Sequence, residues 1–235
     1  MDSNEQITDK DILHLSSLRE VLGGFAHEIA QPLNAIMIAS QVIQLRIEKN
    51  LLPEEEKSFM VKRLELLSDQ VQRISRIVND FRSYSGPDDR YIQDGELLSA
   101  TKRVTNLMVQ QFTGRGIEFR WETPGKPPVI SSEVAVVAEG ILIHALALAR
   151  DTAEALETWH RDNGLEYLMS LTAQVLEQDG LPVVKITWNP GETPENALLV
   201  DPGKRPGLEA ARSVLASTGG SLTTTAEGIT IIFSG

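Results

Sequence analysis

Apolar residues recur at two different periods along this chain, and the change of period divides it. From Leu15 they run Leu15, Leu18, Leu22, Phe25 and Ile29, and Ile36, Ile43 and Ile47 continue the line. Gaps of three and four predict one long helix with a single buried seam. "LLPEE" interrupts the pattern, with Pro53 suited to the first turn of a new helix. Met60, Leu64, Leu67, Val71, Ile74, Val78 and Phe81 then alternate gaps of four and three, a heptad repeat of the coiled-coil kind, until "SGPDD" at 85–89 ends it. The first 88 residues read as a helical hairpin. Two such seams bury poorly within one hairpin, so the expectation is a homodimer closed as a four-helix bundle.

Beyond residue 88 the period changes repeatedly. A helical pattern lies near 95–113, and "GIEFRWE" (116–122) alternates like a strand. "SSEVAVVAEGILIHALALARDTAEALE" (131–157) predicts a long, mostly buried helix with Ser at its start. Residues 165–189 predict a β-hairpin turning at Asp179-Gly180. "PGLEAARSVLAST" predicts a helix stopped by Gly219-Gly220, and "SLTTTA" and "ITIIFS" two short strands. Helices mixed with a largely antiparallel sheet make residues 89–235 an α/β sandwich, and the whole chain α+β.

Composition narrows the function classes. The 235 residues are 41% hydrophobic and 23% charged, ordinary for a globular chain, and carry a net charge of -11. Lys and Arg are scattered, so nucleic acid and anionic membrane are unfavourable partners. The absence of cysteine removes disulfides, thiolate nucleophiles and thiolate metal sites. "MDSNEQITDKDILHL" is too acidic for a signal peptide, and no apolar run suffices for a membrane span, which predicts a cytoplasmic protein.

Within the first helix stands "FAHEIAQPLNAI" (25–36). His27 lies between Phe25 and Ile29, so at about 100° per residue it points away from the seam. Pro32 cannot donate to the carbonyl of Glu28, which predicts a bend beside His27 at a cost of about 3 kcal/mol. Glu28 is placed to hold the Nδ1 proton, leaving Nε2 as a nucleophile. This stretch resembles the phospho-acceptor box of two-component sensor histidine kinases: a phosphorylated His, then Glu or Asp, then Pro five residues after the His. His27, Glu28 and Pro32 match those positions. The resemblance implies that receiver domains dock around His27, with Gln31, Asn34, Ala35 and Ile38 as the exposed contacts. Gln31, four residues after the His, matches the place where some of these kinases orient a water for dephosphorylation.

The second half resembles the ATP-binding domain of the same kinases in the order of its elements but lacks their nucleotide chemistry. Leu148 stands where the kinases carry a Mg²⁺-binding Asn, with His144 at an earlier polar position. Asn189 stands near the adenine-binding Asp of an Asp-x-Gly-x-Gly motif. Counting back from Gly219-Gly220, Arg205 and Gly207 replace a Gly-x-Gly phosphate loop. Only thirteen residues, 192 to 204, remain for a lid. The expectation is a histidine phosphotransferase whose second domain binds no nucleotide. It would take a phosphoryl group on His27 from a receiver's aspartyl phosphate and pass it to another receiver. Mg²⁺ is expected only on the receiver, and an upstream hybrid kinase is a further partner. The alternatives are an ATP-dependent kinase and a non-catalytic or phosphatase module that binds response regulators. His14 and His160 read as surface residues, and Trp121, Trp159 and Trp188 as core or edge.

Overall fold

The computed structural model describes residues 8–48, 54–85, 97–123, 128–130, 132–189, 191 and 200–234. In chain order they form α1 (Asp9–Glu48), α2 (Glu54–Ser85), α3 (Leu97–Thr113), β1 (Glu118–Glu122), α4 (Ser132–Asp162), β2 (Ser170–Gln178), β3 (Leu181–Trp188), α5 (Pro206–Ser217), β4 (Ser221–Thr224) and β5 (Gly228–Ile232). The expected break at Pro53 and the "SGPDD" stop lie outside the described residues, except Ser85. The chain divides into two compact units, Leu22–Pro87 and Met1–Val21 with Asp88–Gly235. The first turns of α1, read from sequence as hairpin, thus group with the C-terminal unit.

In the unit of residues 22–87, α1 and α2 form a helical hairpin. α1 stays helical across Pro32. Its buried positions are Glu28, Pro32 and Ala39, facing a hairpin in which Ile77 of α2 is also buried. The sequence seam is only partly covered within one chain. Phe25, Ile29, Ile36 and Ile43 are half-buried, as are Met60, Leu67, Ile74 and Val78. Leu22, Leu64 and Val71 stand open at 48%, 57% and 53% exposure. Leu33, Met37, Leu45 and Val61 are exposed as well.

The C-terminal unit is a two-layer sandwich. Its sheet has the order β1-β2-β3-β5-β4, with β1 parallel to β2 and every other pair antiparallel. Register explains its two faces. Leu171, Ala173 and Val175 pair with Trp188, Ile186 and Val184, and the last two pair on with Ile229 and Ile231, so one apolar face runs across three strands. The opposite face carries Thr172 with Thr187, Gln174 with Lys185, and Thr223 with Thr230. The turn between β2 and β3 uses Asp179 and Gly180 at φ 54 and 78, the left-handed pair of a tight hairpin.

α4 crosses the apolar face. Every residue from Ile141 to Ala149 is buried, which is why this stretch reads as apolar all round rather than as a stripe. α3 packs beside α4 through Leu97, Ala100, Val104, Met108 and Phe112, all at helical spacing. α5 closes the other side with Leu208, Ala211, Val214 and Leu215. The first turns of α1 cap this layer. Thr8 and Asp11 cap that helix reciprocally, the Thr8 amide donating to Asp11 Oδ2 at 2.9 Å and the Asp11 amide to Thr8 Oγ at 3.3 Å. No helix among the described residues is long and apolar enough to cross a membrane.

Candidate functional site

Around the acceptor position, α1 supplies every predicted residue. His27 lies within the helix, but its ring is outside the described side chains, so the expected outward orientation is not among the described features. Glu28 is buried at 6% exposure and Pro32 is buried beside it on the same side, one turn on. A carboxylate and an imino-acid ring packed together on the covered face leave the opposite face to Gln31, Asn34 and Ile38, which are all exposed. Ala35, expected exposed, is half-buried, since it falls toward the side of Pro32 and Ala39. Gln31 Oε1 faces Arg73 Nη2 of α2 at 3.5 Å, which links the two helices at this level.

In the C-terminal unit the residues matched to nucleotide chemistry have other occupations. Leu148 is 0% exposed in the middle of α4 and belongs to the core. Gly207 sits in the first turn of α5, where a Cβ would lie 2.2 Å from His144 Cε1 and 2.3 Å from Nε2. The glycine is there to admit an imidazole. His144 itself is 6% exposed, its Nε2 2.9 Å from Ser16 Oγ of α1, and burial pushes its pKa below the ordinary 6.5. Arg205 forms an ion pair with Asp151, and burial lowers its pKa as well. Asp151 also receives Arg150 at 2.7 Å, and Arg150 reaches Glu20 of α1 at 3.0 Å and Gln111 of α3 at 2.5 Å.

Near the position matched to adenine recognition, Asn189 is exposed and its Oδ1 accepts from the Gly191 amide at 3.1 Å, a local turn contact. Gly191 has φ 60, and a Cβ there would lie 2.3 Å from His160 Nε2. His160 is therefore no surface residue. It is 1% exposed, stacked on Tyr167 at 4.5 Å, with Nδ1 2.7 Å from the Leu156 carbonyl. α4 runs to Asp162 rather than ending near 157, and Ala149, Ala153, Leu156 and His160 continue its buried line at gaps of four and three. That continued period was the signal available in the sequence. Tyr167 donates its hydroxyl to the Asn189 carbonyl, and burial pushes its pKa up to about 12. Trp188 is buried, and Trp121 and Trp159 are half-buried. His14 is exposed as expected.

An open groove along α4 is lined by Asp151, Glu154, Ala155, Thr158, Trp159 and Asp162. Of its three carboxylates, Asp151 pairs with Arg150 and Arg205, and Glu154 pairs with Arg115. Among the described residues no three His, Asp or Glu side chains gather in a way that could hold a metal ion.

Residues 17–89 match the family of His Kinase A (phospho-acceptor) domains. No curated protein matches the chain. Among solved structures, the Acinetobacter baumannii histidine kinase AdeS is 14% identical at a TM-score of 0.42, over 88% of this chain and 97% of that one. A structure described as a bacterial phosphotransferase is 16% identical at a TM-score of 0.46, over 93% and 95%. The blue-light activated histidine kinase of Erythrobacter litoralis is 17% identical at a TM-score of 0.44, over 69% and 54%. His27, Glu28, Gln31 and Pro32 all fall inside the matched stretch, so residues 17–89 are similar to the phospho-acceptor domains of that family.

Proposed function

We propose that this chain is a histidine phosphotransferase that exchanges phosphoryl groups between receiver domains and does not draw them from ATP. The observation that carries this reading is the pairing of a matched phospho-acceptor domain with a second unit whose nucleotide positions are otherwise employed. Leu148 is core, Gly207 is covered by the His144 ring, and Arg205 is tied to Asp151. None of the three offers an oxygen to Mg²⁺ or a free backbone cradle to a phosphate.

In the proposed reaction a receiver docks over Gln31, Asn34 and Ile38, with Ala35 at the margin. The Nε2 lone pair of neutral His27 forms the N–P bond in line as the O–P bond of the aspartyl phosphate breaks, and the carboxylate leaves with the electron pair. Glu28 holds the Nδ1 proton while positive charge develops on the ring. Because the transferring group needs mostly alignment and charge neutralisation, the receiver's own Mg²⁺ suffices and this chain contributes no metal. The reverse step on a second receiver completes the relay. An upstream hybrid kinase is the natural donor class. Two copies closing the hairpin into a four-helix bundle would cover the exposed Leu22, Leu64 and Val71.

The test is to mix the protein with receivers carrying labelled aspartyl phosphate and locate the label. Label on wild type and none on His27→Ala, with the mutant still folded, is the expected result. Label persisting on His27→Ala would overturn the assignment. If wild type stays unlabelled while the receiver loses its phosphate, hydrolysis assisted by Gln31 replaces transfer. Calorimetry giving micromolar ATP affinity would return the chain to the ATP-dependent kinases.

A further inference from the structure

The first turns of α1 are held against α4 and α5 by contacts of several kinds. Leu13, Ser17 and Val21, spaced by four, are all 2% exposed or less. Opposite them Gly140 of α4 has no side chain. A Cβ there would come within 3.0 Å of Ser17 Oγ and 3.2 Å of Leu13 Cγ, so the glycine sets how closely the helices approach. One turn along, Ser16 meets His144, and the next turn sets Glu20 on Arg150. At the start of the helix Asp9 bonds Ser213 of α5. Directly after this segment come Gly23 and Gly24. A Cβ at Gly23 would touch nothing within 4 Å, so packing does not call for glycine there, and glycine weakens a helix interior.

We infer that residues 9–21 are a detachable latch, docked on the corner of α4 and α5 through His144 and released when that ring is protonated. The ring is enclosed by Ser16 and Leu13 of α1, by Gly207 at the start of α5, and by its own helix. The charges facing it are Glu20 from α1 and Arg205 ahead of α5, with Arg150 and Asp151 on α4 beside them. Glu20 is already engaged by Arg150, and Arg205 opposes a second cation. A lowered histidine pKa means that the docked state prefers the neutral ring. The stability it contributes is complete above the unfolded value of 6.5 and is eroded as the pH falls below it. Release would leave the turns ahead of His27 without their support, so acidification would act on the acceptor helix from its N-terminal end.

Hydrogen exchange of the full chain tests this, comparing amides 12–21 with amides 141–149 of α4 at about pH 7.5 and about pH 5.5, corrected for intrinsic rates. The expected result is a loss of protection at low pH of several-fold in 12–21, with a ceiling of about tenfold for one group of unfolded value 6.5, and α4 little changed. In His144→Gln, which keeps a polar group for Ser16 but cannot be protonated in this range, the pH dependence should vanish. Unchanged protection in wild type, or the same loss in His144→Gln, would overturn the latch. Should His144→Gln fail to fold, Ser16→Ala decides. It removes a half-buried hydroxyl only, and it should lower protection in 12–21 already at about pH 7.5, whereas unaltered protection there would refute the role given to this contact.

Discussion

Gly207→Ala puts the packing of His144 to a test in which two arguments predict opposite signs. Gly207 lies in the first turn of a helix and is not among the glycines with positive φ. By backbone reasoning alone, alanine should therefore stabilise by about 0.4–1 kcal/mol, through a less flexible unfolded chain. The structure predicts the reverse. The new Cβ would lie 2.2, 2.3 and 2.7 Å from three ring atoms of His144, so rotating the ring cannot clear it and the ring must be displaced. Overpacking of this kind costs about 1–3 kcal/mol. Loss of the 2.9 Å contact to Ser16 leaves a buried ring nitrogen without its partner, about 1–3 kcal/mol more. Set against the backbone gain, the net loss is about 3 kcal/mol. Urea unfolding followed by tryptophan fluorescence would read it, since Trp121, Trp159 and Trp188 all lie in the C-terminal unit. With slopes of about 1–3 kcal/mol/M, the midpoint should fall by about 1–3 M. In the double variant with His144→Ala, the space vacated by the ring should make the second substitution far less costly than in wild type. A midpoint for Gly207→Ala at or above wild type, or costs that simply add, would refute the packing argument.

Two further predictions concern other parts of the molecule. Leu64→Asp and Val71→Asp replace side chains more than half exposed in the single chain, so each should leave the helix content of the separated chain unchanged while halving the mass seen by light scattering; a wild type that is already monomeric at micromolar concentration would remove the dimer from the proposal. Tyr167 should ionise only near its raised value of about 12, and because the folded state prefers the neutral phenol, its stabilising contribution is complete below 10 and lost as the pH rises toward that value. Absorbance titration of wild type against Tyr167→Phe should show the missing transition at that late pH and not near 10.

The element order was legible in the sequence because it depends on local period and local turn chemistry. Gaps of three and four marked α1 and α2, alternation marked β1, and Asp179-Gly180 announced the turn of the β2–β3 hairpin. The acceptor stretch was legible for the same reason: His27, Glu28 and Pro32 are neighbours along one helix, and their spacing alone carries the resemblance. What a period cannot say is which surface will cover a stripe. In the first turns of α1 the covered positions are Leu13, Ser17 and Val21, where a partner element approaches, while Leu15 and Leu22 on the expected seam stay open. His160 has no carboxylate or His neighbours at metal-ligand spacing, which by itself suggests a surface residue, yet its cover is Gly191, far along the chain and notable only for lacking a side chain. Gly207 matched a phosphate loop by counting, and only the tertiary structure set the His144 ring against it. Local physics decides that a helix or turn will form; which side chain fills the space left by a glycine is decided by chain segments that meet only once the protein is folded.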